Sequence, residues 1–264
     1  MKVFSLESAS GDFLHHVASK KRDFKDWFFL HVKIDEGEQS IKLGEVLQSL
    51  RFVFAGEESY VLEMTKHNEV FVVSGNVQRK ALSMYEKTAK DHFGDRGVHV
   101  ISNTLSNKGV EQLIKLISVH EEDLQDAAVR ALKRLGRAGN VFIVLDDDVI
   151  VLKQMQKILQ GFGHVEATHD PEQFIDLYKQ YAPNVAFLDV HLKGERGTNV
   201  LNSLIKDVDP HAYVVMISSD SLKNTVLESK HKGASGYIMK PFERDLVYKN
   251  LLKAPTFVPY VEHV

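Results

Sequence analysis

The stretch Asn184-Val-Ala-Phe-Leu-Asp189-Val-His-Leu constrains the fold more than any other. Its apolar run has no 3.6-residue period and lies between Pro183 and Gly194. Such a run fits a strand buried on both faces, the setting of a central strand in a parallel sheet. The strand would end on one carboxylate, Asp189, and open α/β sheets place their ligands at strand carboxyl ends.

The surrounding pattern agrees. Strands are expected at Val141–Leu145, about His164–Thr168, Asn184–Leu188, Ala212–Ile217 and Ala234–Met239. Helical spacing falls between them at Val149–Gln160, Pro171–Tyr181, Thr198–Lys206 and Leu222–Lys232, and Glu243–Lys253 closes the series. Regular β-α alternation of this kind predicts a doubly wound, five-stranded parallel sheet over residues 140–254, with 255–264 as a tail.

Four features then fall on one sheet edge: Asp146-Asp-Asp148, Asp189, Ser218-Ser219 and Lys240-Pro241. Each alone has a bland explanation. An acidic cluster or Ser-Ser-Asp before a helix caps it, and a lone Asp at a strand end forms a turn. Together they make chemical sense. Carboxylates without His or Cys suit a hard cation, Mg²⁺ or Mn²⁺. An Asp carboxylate can accept a phosphoryl group. A lysine ammonium and a small hydroxyl can then hold the phosphoryl oxygens.

Residues 140–254 therefore resemble the receiver domain of bacterial two-component response regulators, a flavodoxin-like fold. The resemblance rests on Phe142-Ile-Val-Leu-Asp146-Asp147-Asp148, Ala186-Phe-Leu-Asp189, Val215-Met-Ile-Ser218-Ser219 and Gly233-Ala-Ser-Gly-Tyr237-Ile-Met-Lys240-Pro241-Phe242. It implies that Asp146, Asp147, Asp189 and the backbone carbonyl of His191 hold Mg²⁺, with Asp147 the more direct ligand of the first two. It implies that Asp189 takes its phosphoryl group from a histidine kinase or phosphotransfer protein. Ser218 would be the switch hydroxyl, Tyr237 the aromatic that turns inward with it, and Lys240 the partner of the phosphoryl oxygen, joined to Pro241 by a cis peptide. The chain departs from the family in having Leu192-Lys193 where a Met-Pro or Leu-Pro pair is common.

The first half reads differently. Strand, helix, hairpin, helix, strand and a short helix follow one another at Asp26–Asp35, Ile41–Phe54, Tyr60–Met64 with Glu69–Val73, Asn76–Phe93, Gly97–Ser102 and Gly109–Ile117. That β-α-β-β-α-β order predicts a ferredoxin-like α+β domain over 1–119. Leu43–Leu50 and Tyr60–Val73 are weakly similar to the helix and hairpin of diguanylate cyclase (GGDEF) domains. Lys66-His67 stands where that family's glycine pair lets nucleotide approach, and the inhibitory Arg-x-x-Asp motif is absent near the hairpin. The expectation is a catalytically dead relative or an unrelated ferredoxin-like domain. Residues 120–139 hold a helical stretch, Glu121–Leu135, ending in Gly136-Arg-Ala-Gly139. It reads equally as a linker or dimerisation helix and as a helix packed on one domain.

Composition closes several routes. The 264 residues contain no cysteine, so disulfides, thiolate catalysis and Cys-based zinc sites are excluded, and a reducing cytoplasm is the expected home. A net charge of -3 and a pI near 6.5 give no reason to expect nucleic acid or anionic membrane as partner. The start lacks the apolar stretch of a signal peptide, and no segment has the length of a membrane span. The thirteen histidines show no ligand-like cluster and are expected at the surface. The function expected is phosphorelay signalling, with the receiver gating the first domain toward a downstream protein partner, and a homodimer among the expected assemblies. No enzymatic activity is expected beyond the receiver's own phosphorylation and dephosphorylation. Alternatives are a receiver-controlled nucleotide enzyme and a phosphorylation-independent adaptor.

Overall fold

The computed structural model describes residues 1–20, 27–37, 41–75, 86–87, 91, 97–219 and 223–259. Most of the helix expected at Asn76–Phe93 lies outside them. The chain divides into two compact units, Met1–Gly136 and Arg137–Val264. Among the described residues, no helix is long and apolar enough to cross a membrane.

Unit 1 comprises β1 (Lys2–Ser5), α1 (Leu6–Ser19), β2 (Phe28–Ile34), α2 (Leu43–Val53), β3 (Ser59–Met64), β4 (Glu69–Ser74), β5 (Val98–Thr104), α3 (Asn107–Ser118) and α4 (Asp126–Gly136). Its sheet has the order β1-β3-β4-β2-β5. β2 lies antiparallel between β4 and β5, and β3 pairs antiparallel with β4. This is the strand order of the ferredoxin-like arrangement. β1 extends it by pairing parallel to β3. The strands read as nearly continuous apolar runs because both faces are covered. Phe28, Leu30, Val32 and Ile34 share one core with Val46, Leu50 and Phe54. Phe29, Leu62, Phe71 and Val73 share another with residues of α1, α3 and α4.

The stretch expected as one helix, Glu121–Leu135, is two elements. Glu121–Asp123 is a 3₁₀ turn, and Leu124 is extended (φ -80°, ψ 143°) before α4 begins. α4 belongs to unit 1 and is not a separate linker. Ala128, Ala131, Leu132 and Leu135 enter the same core as Phe13, Leu14 and Val17 of α1. Gly11 permits this close approach, since a Cβ there would lie 3.1 Å from the Ala127 Cβ.

The surface expectation for the histidines fails at His31, which is 5% exposed. It faces Glu69, the first residue of β4. Burial would raise the Glu69 carboxyl, but hydrogen bonds from His31 and Lys33 and the charges of His31 and His120 outweigh it and hold it at about 2. A depressed carboxylate contributes stability above its unfolded value and loses it as the pH falls through its folded value. Unit 1 is therefore expected to weaken from about pH 4.5 down to about 2. Glu69→Gln should flatten that part of an acid-denaturation curve followed by circular dichroism. An unchanged curve in the variant would contradict the assignment.

Unit 2 comprises β6 (Asn140–Leu145), α5 (Val149–Leu159), β7 (Gly163–Thr168), α6 (Pro171–Tyr181), β8 (Val185–Asp189), α7 (Gly197–Ser203), β9 (Val214–Ser218), α8 (Lys223–His231), β10 (Gly236–Met239) and α9 (Arg244–Leu251). All its strands are parallel, in the order β7-β6-β8-β9-β10. One face packs Phe142, Met155, Phe187, Ile217 and Val247, and the other Ile143, Phe174, Leu188, Leu201 and Met216. The helix expected to run to Lys206 passes after Ser203 into a π-helical turn, Leu204–Val208. The start of the expected tail is part of this unit. Phe257 is 1% exposed, and Val258 exchanges two 2.8 Å hydrogen bonds with the Asn140 side chain.

Candidate phosphoryl-transfer site

In unit 2 the strand order reverses between β6 and β8, and a crevice at the carboxyl ends of the strands follows from such a reversal. The register brings those ends level: Leu145 pairs with Leu188, Asp189 with Ile217, and Met239 with Ser218. Asp146 follows β6, Asp189 closes β8, Ser218 closes β9 and Lys240 follows β10. Residues almost a hundred positions apart thus share one edge. The Lys240–Pro241 peptide is cis, as the resemblance implies. The Lys240 backbone N–H donates to the Ser218 carbonyl at 2.7 Å.

The three acids after β6 separate into roles. Asp148 is the N-cap of α5, accepting from the Ile150 N–H at 2.8 Å. Asp146 is fully buried and accepts from the Asp148 N–H at 3.0 Å. Asp147 is half-buried. One carboxylate oxygen from each of Asp146, Asp147 and Asp189 lies within 4.8 Å of the others.

Lys240 bridges this group. Its Nζ is 2.7 Å from Asp146 Oδ2 and 2.9 Å from Asp189 Oδ1. The other Asp189 oxygen accepts from the His191 backbone N–H at 3.1 Å. Burial, with the neighbouring Asp189 charge, raises the Asp146 carboxyl, against the opposing pull of Lys240 and the Asp148 N–H. Burial lowers the Lys240 ammonium, but its two carboxylate partners more than compensate, so it is raised overall. From the solvent side, Lys193 Nζ reaches to 3.9 Å of Asp147 Oδ2.

Three clustered carboxylates around the half-buried Lys240 ammonium, with the exposed Lys193 only within 3.9 Å of Asp147, leave an excess of negative charge. All-oxygen donors at this spacing fit a hard divalent cation such as Mg²⁺, so the residues present suit the metal that the resemblance implies.

Ser218 is fully buried. Tyr237 is half-buried and packs against the core cluster that includes Ile143, Leu145 and Leu188. Asp146, Asp147, Asp189 and Lys240 thus gather at one edge of the sheet with Ser218 at the end of β9, whereas Tyr237 lies within β10 opposite Met216. The His191 side chain is exposed, and its backbone N–H donates to Asp189.

Sequence reasoning missed Gly197. A Cβ there would lie 1.8 Å from the Asp189 carbonyl oxygen, and its N–H donates to the Val190 carbonyl at 3.0 Å. The only available signal was a second glycine three residues after Gly194.

The family described as response regulator receiver domain matches residues 141–252. Chemotaxis protein CheY of Bacillus subtilis is 27% identical over 114 residues, which span 42% of this chain and 94% of that protein. Protein CcdB of the same organism is 30% identical over 107 residues, spanning 40% of this chain and 88% of CcdB. Among solved structures, the BeF3-activated DrrB receiver domain aligns with a TM-score of 0.39 at 28% identity, covering 44% of this chain and 99% of that domain.

Proposed function

Because the chain belongs through residues 141–252 to the response regulator receiver family, we propose that it works in a phosphorelay in which Asp189 accepts a phosphoryl group. The observation that carries this reading is the Lys240 ammonium held between Asp146 and Asp189, beside a carboxylate group spaced for a divalent cation.

The donor is a phosphohistidine of a histidine kinase or phosphotransfer protein. The Asp189 carboxylate forms the new O–P bond as the N–P bond breaks, and the electron pair stays on the donor imidazole. Mg²⁺ held by Asp146, Asp147, Asp189 and the His191 carbonyl would neutralise charge on the transferring group. Lys240, already paired with Asp189, holds a phosphoryl oxygen once the group has arrived.

Transfer adds roughly -1.5 to -2 charges at this edge. The Ser218 hydroxyl, at the end of β9, draws toward the new acceptor oxygens, and Tyr237 on β10 turns inward behind it. Change then spreads to the surface of α8, β10 and α9, which a protein partner or a second copy reads. The chain's catalysis is limited to its own phosphorylation and dephosphorylation.

Unit 1 serves as output or interaction domain. At its hairpin tip, where a cyclase would admit nucleotide, His67 and Lys66 are engaged with Asp123 at 2.8 and 3.7 Å. That contact favours interaction over nucleotide chemistry. A small phosphodonor with Mg²⁺ should label the wild-type chain and leave Asp189→Asn at least about a hundredfold weaker, since an amide cannot serve as the nucleophile. Equal labelling of the two would overturn the reading.

A further inference from the structure

The loop after Asp189 is fixed from two sides. On one side it folds back on its own strand. His191 and Arg196 form an isolated antiparallel bridge, and the Gly197 N–H donates to the Val190 carbonyl at 3.0 Å. Gly197 lies so near the Asp189 carbonyl oxygen that a Cβ would meet it at 1.8 Å. On the other side, the residues flanking Gly197 reach α8. Arg196 Nη2 donates to Glu228 Oε2 at 3.3 Å, and the Thr198 hydroxyl donates to Glu228 Oε1 at 3.3 Å. Lys232, one residue past α8, closes the group. Its Nζ lies 3.1 Å from Glu228 Oε1, 3.3 Å from Thr198 Oγ1 and 3.4 Å from Asn199 Oδ1.

These contacts differ in weight. Arg196 is exposed, so its ion pair with Glu228 contributes little by itself. Thr198 is fully buried, and a buried hydroxyl stripped of its partner costs more than an exposed ion pair gains. The hydrogen bond from Lys232, with the charges of Arg196 and Lys232 and the bond from Thr198, holds the Glu228 carboxyl below its ordinary value against the effect of burial. Glu228 is therefore an ionised, purely accepting hub at neutral pH. Phosphoryl transfer as read above uses none of these side chains.

We propose that Glu228 is a positioning residue for Asp189. From α8 it holds Arg196 and Thr198 on either side of Gly197, and Gly197 braces the strand end that carries the phosphoacceptor. Gly197 and Asp189 meet through backbone atoms, so a displacement of residues 196–198 passes to Asp189 and is not absorbed by a change of rotamer. The inference rests on Asp189 being the phosphoryl acceptor.

Initial rates of labelling test it, measured on the full chain with a small phosphodonor at saturating Mg²⁺ and at a temperature where circular dichroism shows every variant folded. Glu228→Ala should lower the maximal rate about tenfold, part of the loss that a full ångström of misplacement brings. The phosphodonor concentration giving half that rate should not change, because Glu228 does not touch the donor. Glu228→Gln should stay within about threefold of wild type, since its amide can accept from Arg196 and donate to Thr198. Thr198→Val keeps the shape, loses the hydroxyl and should also slow labelling; it stands in if Glu228→Ala does not fold. The double variant Thr198→Val/Glu228→Ala should be no slower than Glu228→Ala alone, because the two side chains act through one contact. Wild-type rates in Glu228→Ala and Thr198→Val, a change only in the half-saturating concentration, or losses that multiply in the double variant would overturn the assignment while leaving Asp189 as acceptor. A wild-type chain that takes no label would overturn both.

Discussion

Asp146→Asn is expected to raise the melting temperature of the metal-free protein while weakening its binding of Mg²⁺. Asp146 is fully buried, and its carboxyl is raised first by burial and then by the Asp189 charge. An acid with a raised folded value binds protons more tightly folded than unfolded. Its contribution to stability is therefore lost as the pH rises through the folded value, and returns as the pH falls toward the unfolded one. At neutral pH the ionised Asp146 is a burden on the fold, relieved in part by Lys240 at 2.7 Å. Asparagine keeps an acceptor for the Asp148 N–H and removes one of the three carboxylates clustered around a single ammonium.

The expected gain is about 1–2 kcal/mol, from relief of a buried charge cluster. That corresponds to roughly 3–8 °C in the melting temperature of a domain of this size. The same change removes a metal ligand, so a Mg²⁺ titration followed by thermal shift should show a much smaller stabilisation by the ion than in the wild type. A variant that melts lower and still responds fully to Mg²⁺ would contradict this picture of the site. The opposite signs of the two effects separate a functional carboxylate from a structural one.

Gly197→Ala is expected to have the largest effect on folding of any single methyl added to this loop. The new Cβ would meet the Asp189 carbonyl oxygen at 1.8 Å, its carbonyl carbon at 2.9 Å and the Val190 Cα at 3.3 Å. All three are backbone atoms of the strand end that carries the phosphoacceptor, so no rotamer change relieves the clash. A loss of about 3 kcal/mol or more, roughly 10 °C, is expected from overpacking against backbone. Phosphoryl labelling should fall with it, because Asp189 itself must move. Gly194→Ala provides the contrast. Gly194 has a φ of +84° with nothing near its Cβ position, so alanine there meets strain but no clash. It should cost about 1 kcal/mol. Equal melting temperatures for the two variants would remove the steric explanation.

The receiver half was legible because its chemistry follows from strand ends. Asp189, Ser218 and Lys240 each terminate a short apolar run, and a parallel sheet leaves no other place for such ends than a shared edge. Sequence could not apportion the acids after β6. Asp148 is a helix cap and Asp146 a buried site residue, yet both are aspartates before a helix, and only the turn geometry distinguishes them. Gly197 escaped notice because its requirement comes from a backbone atom eight residues earlier, not from a turn of its own.

In unit 1 the alternating faces and the hairpin were readable, while β1 was not. Four residues carry too little periodicity, and β1 exists because the edge of β3 is available to it. The buried status of His31 was hidden for a related reason. Its position on β2 is inward by strand parity, but a histidine in an apolar run gives no sign that Glu69 and His120 wait opposite.

The central claim is that Asp189 is the phosphoryl acceptor, and chemical trapping tests it most directly. The full chain would be treated with a small phosphodonor and Mg²⁺, reduced with borohydride, digested and sequenced by mass spectrometry. An acyl phosphate on aspartate is reduced to homoserine, so homoserine at position 189 and at no other aspartate is the expected result. Homoserine at Asp146 or Asp147 instead, or none at position 189 despite incorporation of phosphate, would contradict it.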